Sequence, residues 1–347
     1  MTKKRIVRVK EIKNKYEEDL LKKKNVVGVM TGYKTVGDKK TRKLSVVCMV
    51  EDKVDLDNLE VQDAIPPNIE DVLTDVIKVG KLKALQTRVN DRQDKHRPCP
   101  MGTSGGHYAI TAGTNGELLI DNSGQIYIGT NNHVGADSND GSIGDKYLQP
   151  GAYDDGKDPE DVIGFLFKFE PIKFLGGESG CKIANICASI LNKLSALFGH
   201  KTRLKPMLDI IEYNLIDGAI IGVNANDVLP EILDIGIPKG YIEPKLNMKV
   251  QKSGRTTGHT TNGVITGLDA TVGPVSYAGN KLAYFKEQII ISGENFSAGG
   301  DSGSLILDHH GYAIGKLFAG NDQENITIAN TIENYLDILD VNLITES

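Results

Sequence analysis

Apolar residues recur along this chain in two different rhythms. Over residues 9–24 (VKEIKNKYEEDLLKKK), Val9, Ile12, Tyr16 and Leu20 fall at helical spacing, which predicts a charged amphipathic helix. Two strand-like runs follow, NVVGVMTGYKTV and KLSVVCMVED, joined by the turn GDKKTR. Pro66-Pro67 breaks the pattern, and NIEDVLTDVIKVG after it reads as a second short helix-like segment. Helix, hairpin, helix and strand together predict a small α/β unit over residues 1–85. Residues 86–105 (QTRVNDRQDKHRPCPMGTSG) are polar and rich in turn formers, the texture of a linker.

From residue 106 to 347 the rhythm shortens. HYAITAGT, ELLIDNSGQIYIGTNNHV, DVIGFLFKFEPI, NLIDGAIIGV, MKVQKSGRTTG, TNGVITGLDATV, EQIIISG, SGSLILD, YAIGKLFAG and ITIANTI are short strands separated by turns. Even spacing of this kind predicts a mainly β fold, a barrel or a sandwich. One stretch interrupts it. In CKIANICASILNKLSALF (181–198), Ile183, Ile186, Ile190, Leu194 and Leu197 step by three or four, so a helical insertion is expected over about residues 178–200. Lys182, Asn185, Asn192 and Lys193 exclude a membrane span there. A helix packed on the β core is the expectation, ahead of a lid over a cleft. NYLDILDVN predicts a closing helix.

Composition changes this picture little. The 347 residues include 38 glycines and no tryptophan, in keeping with many turns. A net charge of −6 argues against nucleic acid as the partner, and the basic start MTKKRIVRVK reads as a solvated arm. No apolar leader follows Met1 and no segment is apolar enough to span a bilayer, so a cytoplasmic protein with no membrane partner is expected. Cys48, Cys99, Cys181 and Cys187 fit neither a metal knuckle nor a disulfide framework and are read as reduced thiols. No metal and no cofactor is expected. Homo-oligomerisation stays open.

The chemistry concentrates at three places. FSAGGDSGSLIL (296–307) sets Ser302 between Gly, Asp and Gly, a setting for a tight turn with an exposed hydroxyl. The N–H groups of Gly300 and Ser302 would converge there as an oxyanion hole. IYIGTNNHV (126–134) presents His133 at the end of a β-branched strand, and imidazole titrates near neutrality, so it suits proton transfer. In NLIDGAIIGV (214–223), Asp217 precedes an apolar strand, where a shielded carboxylate could orient an imidazole; Asp209 in PMLDIIEYN is its competitor. His96, His107, His200, His259, His309 and His310 are read as structural. The chain order is His, Asp, Ser, that of the chymotrypsin arrangement.

GHYAITAGT, NNHV, VQKSGRTTG, SAGGDSGSL and LFAG carry a resemblance. Over about Gly102 to Val341 the chain resembles the trypsin/chymotrypsin-like serine peptidases of bacteria, related to the narrow-leaf-type proteases of plants. The resemblance implies a double six-stranded β-barrel with a cleft between barrels, a His133–Asp217–Ser302 triad and peptide-bond hydrolysis through an acyl-enzyme. It also implies a protein or peptide substrate. By the same pattern Phe296, six residues before the serine, would lie at the base of the first specificity pocket. Phe318, Ala319 and Gly320 would form one wall and pair with substrate backbone. The chain departs from GDSGGP, with Ser304-Leu305 in place of Gly-Pro.

Other motifs are weaker. SGRTTG (253–258) lacks the Lys-Ser/Thr of a phosphate loop and reads as a hairpin turn; the acidic run DDGKDPED (154–161) lacks calcium-loop register and reads as surface. A silent binding or scaffold protein on a protease fold, and an esterase with the same triad, are the two alternatives.

Overall fold

The computed structural model describes residues 3–36, 39–82, 91–109, 112–176, 181–197, 199, 204, 206 and 211–346. Helix α1 (Lys3–Leu21) buries Val9, Ile12 and Leu20 against strands β1 (Val26–Val36) and β2 (Lys39–Val50), where Val29, Val46 and Cys48 are fully buried. The helical spacing and the hairpin are therefore both realised. The second helix-like segment is not. Residues 68–78 form β3 (Asn68–Ile69) and β4 (Val72–Lys78), with β4 parallel to β2 from Ser45 opposite Leu73 to Val50 opposite Lys78. Val72, Thr74, Val76 and Ile77 are β-branched, and an open sheet edge beside them outweighs a weak helical rhythm. Glu70 turns the chain between the two strands at φ 52°, and Arg8, Lys15 and Tyr16 of α1 all bond its carboxylate.

The chain continues with β5 (Cys99–Met101), β6 (Ser104–His107), β7 (Gly113–Thr114), β8 (Glu117–Ile120) and β9 (Ile126–Thr130), followed by the single turn α2 (Asn132–Gly135). Next come β10 (Lys146–Leu148), β11 (Val162–Phe169), α3 (Lys182–Leu197), β12 (Tyr213–Asn214), β13 (Ala219–Val223) and β14 (Val228–Ile232). The C-terminal part holds β15 (Lys249–Gly254), β16 (Gly258–Ser276), β17 (Leu282–Ser292), β18 (Leu305–Asp308), β19 (Ala313–Asn321), β20 (Ile326–Thr331), α4 (Ile332–Leu339) and β21 (Asn342–Leu343).

These strands make a mainly β protein of two large sheets. Eight pair in the order β21-β8-β9-β13-β11-β10-β6-β7, and eleven in the order β12-β17-β20-β19-β18-β15-β16-β1-β2-β4-β3. A further pairing of β16 with β17 brings β15, β16, β17, β20, β19 and β18 into one circuit of neighbours around Val250, Ile265, Ile291 and Ile306. The eight-stranded sheet ends openly at β21 and at β7, a strand of two residues. The architecture is thus coarser than the expected pair of closed six-stranded barrels. Because β1 pairs antiparallel with β16, the N-terminal unit continues the C-terminal sheet. Buried Lys13 bonds Glu17 at 2.8 Å, and Glu17 also accepts from Thr271 of β16 at 2.6 Å, tying α1 to the same sheet.

The insertion is helical as expected, but its apolar stripe faces outward. Ile183 is 74% exposed and Leu197 80%, and Ile186, Ile190 and Leu194 are exposed as well; Ala188 is the buried residue of the helix. The polar side is the one held: Asn192 accepts from the Leu204 N–H at 2.7 Å and donates to the Leu204 carbonyl at 2.8 Å. A paired amide satisfies two backbone groups at once, which ties that side of the helix to Leu204. The expectation of an apolar face packed on the β core is therefore overturned. No helix among the described residues is long and apolar enough to cross a membrane.

Candidate active site

Strand β9 ends at Thr130, and the next three residues are pinned by their side chains. Asn131 donates to the Asp217 carbonyl at 2.7 Å, and Asn132 donates to the Glu170 carbonyl at 2.7 Å. This turn sets His133 on α2 facing the segment that leads into β13. His133 Nδ1 lies 2.6 Å from Asp217 Oδ2, and the His133 N–H donates to Asp217 Oδ1 at 3.2 Å. Asp217 is fully buried while the His133 side chain keeps 11% of its surface exposed. A carboxylate facing Nδ1 assigns the proton to that nitrogen and leaves Nε2 as the acceptor. Asp209 lies outside the described residues.

Three side chains that sequence reasoning did not single out hold this pair. Tyr277 donates to Asp217 Oδ2 at 3.0 Å, and its ring stands edge-on to the imidazole with centroids 5.8 Å apart. Burial, and then the Asp217 charge, push the Tyr277 phenol well above its ordinary range, so it stays a donor. Asn330 accepts the Asp217 N–H at 3.1 Å. The Tyr335 hydroxyl of α4 sits 2.8 Å from the carbonyl oxygens of Thr130 and Ala219, at the ends of the two strands that present His133 and Asp217.

The serine turn is built around its neighbour. Asp301 is fully buried and accepts from Lys252 Nζ (2.9 Å), Thr257 Oγ1 (2.7 Å) and the N–H groups of Thr256 (2.8 Å), Thr257 (3.2 Å) and Ala298 (3.0 Å). Burial pushes its carboxyl up, but the Lys252 charge and these donors outweigh that and hold it below the usual carboxylate range. SGRTTG is the hairpin turn expected, closing β15 and β16, and it wraps Asp301. Arg255 within it is fully buried and grips Asp154 with two 2.5 Å bonds; Asp154 also accepts from Ser104 at 2.6 Å. The first residue of the acidic run is therefore an internal anchor rather than a surface group. Among the described residues no cluster of His, Cys, Asp and Glu could hold a metal ion.

Gly300 and Gly303 take φ of 93° and 96°, a region that favours glycine. Between them Ser302 is tied to the eight-stranded sheet, its carbonyl accepting the Thr114 N–H at 2.8 Å, while Gly303 N–H donates to Leu317 of β19 at 2.9 Å. Beneath the turn, Lys316 bonds both Glu117 and the Gly303 carbonyl; Lys316 and Glu117 are fully buried. The N–H groups of Gly300 and Ser302 have no protein acceptor among the described residues. Ser302 Oγ is 3.4 Å from the Phe318 carbonyl, and no hydrogen bond joins it to His133 among the described residues.

His133 and Asp217 thus meet directly, while the Ser302 turn is held by Thr114 of β7 and Leu317 of β19. The wall residues divide. Phe318 and Ala319 are buried, and among the described residues β19 pairs with β18 as far as Lys316 and, beyond Leu317, with β20 alone. Phe296 is 1% exposed and packs among Val250, Ile265 and Leu317 inside the circuit of six strands, which makes it a core residue. A position six before the serine gives no sign in sequence of which way its ring points.

No protein-family model and no curated protein sequence matches the chain. Solved structures do. Thermobifida fusca protease A is 17% identical, with a TM-score of 0.44 over 71% of this chain and 98% of that one. Cellulomonas bogoriensis chymotrypsin is 16% identical, with a TM-score of 0.42 over 71% and 98%. A glutamic-acid-specific serine protease, described as using a histidine triad in substrate binding, is 13% identical, with a TM-score of 0.44 over 71% and 100%. These neighbours are trypsin/chymotrypsin-like serine proteases. At such identities and TM-scores the likeness carries no weight for activity, and the functional reading rests on the side chains.

Proposed function

We propose that this chain is a serine endopeptidase that hydrolyses protein or peptide substrates through an acyl-enzyme. The observation that carries the reading is the 2.6 Å contact of His133 Nδ1 with fully buried Asp217. Ser302 Oγ attacks the scissile carbonyl while His133 Nε2 takes its proton, and the negative charge on the carbonyl oxygen falls between the N–H groups of Gly300 and Ser302. Collapse breaks the C–N bond, and His133 returns the proton to the leaving amine. Water then repeats the sequence on the ester, releasing the acid and restoring Ser302. Asp217 keeps the imidazole in one tautomer and stabilises its charged form. The edge of β19 past Leu317 takes the substrate backbone. Residues 106–347 act as the protease domain and residues 1–85 as its accessory unit, with no cofactor required; of the stretch 86–105 read as a linker, β5 and the start of β6 are part of the β structure.

One observation favours a second reading. Ser302 Oγ faces the Phe318 carbonyl at 3.4 Å, as it would in a silent binding protein. Casein cleavage and fluorophosphonate labelling of the wild type and Ser302→Ala separate the two. Cleavage and label that both vanish in Ser302→Ala support the protease. Neither signal in wild type supports the silent protein, and ester cleavage without any peptide cleavage supports an esterase.

A further inference from the structure

Six of the large apolar side chains exposed on this chain share one helix: Ile183, Ile186, Ile190, Leu191, Leu194 and Leu197 of α3. Steps of three and four place them on one face of its 16 residues, a strip about 24 Å long at 1.5 Å per residue. The opposite face is already taken. Ala188 is buried there, and Asn192, four residues on, is bonded to Leu204. A single exposed Ile or Leu calls for no explanation, but a continuous apolar strip rimmed by polar groups marks an interaction surface.

The charge around the strip discriminates among the partners that would cover it. Lys182 precedes Ile186 by four residues and Lys193 precedes Leu197 by four, so the two exposed lysines border the strip along one side. They are about three turns apart, one toward each end of the helix. α3 holds no Asp or Glu, and residues 179–208 carry five basic residues and no acidic one, in a chain whose net charge is −6. A second copy would set lysines at the rim with no carboxylate on the facing helix to meet them. An anionic lipid surface satisfies both features. Acyl chains take the apolar strip, and headgroup phosphates take the ammonium groups, whose stems lie along the apolar–polar boundary. The expectation of no membrane partner rested on the lack of a spanning segment, and a helix lying in the interface needs none. We propose that α3 docks this protein reversibly onto anionic phospholipid bilayers, flat in the interface with its isoleucine and leucine strip inserted.

The full-length wild type is mixed with sucrose-loaded vesicles of phosphatidylcholine alone, or of equal parts phosphatidylcholine and phosphatidylglycerol, and centrifuged. It should pellet with the anionic vesicles, pellet less with the neutral ones, and be released by salt. Ile186→Lys with Ile190→Lys should lower the partition at least about tenfold while melting with the wild type. Leu197→Ser, at the most exposed position of the strip, carries the comparison if that double variant loses its cooperative melt. Lys182→Ser with Lys193→Ser should lose about fivefold per charge on the anionic vesicles and little on the neutral ones. Wild type left in the supernatant with anionic vesicles overturns the proposal, and so does pelleting that the strip variants leave unchanged. Sedimentation velocity without lipid runs alongside: a dimer broken by Ile186→Lys with Ile190→Lys would put a second copy on the strip and overturn lipid docking. None of these readouts needs cleavage, so their outcome is independent of the chemistry at Ser302.

Discussion

Tyr277 Oη donates to Asp217 Oδ2 at 3.0 Å, on the oxygen that also faces His133 Nδ1 at 2.6 Å. Two donors on one carboxylate oxygen, with the backbone N–H of His133 on the other, leave Asp217 no freedom to turn. A hydrogen bond to a charged group contributes about 1.5–3 kcal/mol. Tyr277→Phe removes that donor while keeping the ring that stands against the imidazole. The expected outcome is about a tenfold fall in kcat with KM nearly unchanged, read from steady-state cleavage of a fluorogenic peptide.

Asp217→Asn tests the next link. An amide can present its NH₂ to His133 Nδ1 and so hold the opposite tautomer, with the proton on Nε2, where it cannot accept from Ser302. Loss of about 10⁴-fold in kcat is expected. Rapid quench of a p-nitrophenyl ester should show the loss in acylation; an unchanged acylation rate would remove Asp217 from the mechanism.

Glu117 and Lys316 form a fully buried pair under the serine turn. Burial pushes the Glu117 carboxyl up and the Lys316 ammonium down, each opposed by its partner. Removing one member strands the other, at a cost of about 3–5 kcal/mol, whereas an apolar pair of similar volume is often neutral. Lys316→Met should therefore lower the urea midpoint sharply, and Glu117→Leu with Lys316→Met should recover most of it. A double variant as unstable as the single one would contradict this.

Asp301 predicts an acid limit. Its carboxyl is lower in the folded chain than the ordinary value near 3.9 that it regains on unfolding. Such a group stabilises fully above about pH 4, and the contribution is lost as pH falls through the lower folded value. Denaturant midpoints measured from pH 6 down to pH 2 should drop below about pH 4. The drop should be shallower in Asp301→Asn, which has no carboxylate to protonate.

The stripe on α3 yields the opposite expectation. Ile186 and Ile190 are 59% and 53% exposed, and exposed substitutions away from special features change stability by about 0.5 kcal/mol or less. Ile186→Lys and Ile190→Lys should melt with the wild type in a thermal scan. A large fall in Tm would mean that the stripe is buried in solution.

By itself the sequence determined what local rules govern. The β-branched runs around IYIGT and AIIGV announced strands, the three- and four-residue steps announced α1 and α3, and the glycines around Ser302 announced a turn with positive φ. Chain order and strand ends singled out His133 and made Asp217 a candidate beside Asp209, and the His133–Asp217 contact is what the fold added. Tertiary structure decided whatever depends on what lies opposite. NIEDVLTDVIKVG became strand because β2 offered it an edge, and Phe296 became core because it packs among Val250, Ile265 and Leu317. The stripe of α3 lies outward, with Asn192 bonded to Leu204 on the other side. Tyr277 and Lys252 reach Asp217 and Asp301 from far along the chain, and no spacing in a single sequence records which distant donor will meet a buried carboxylate. Periodicity fixes which face a residue occupies, but only packing decides what that face meets.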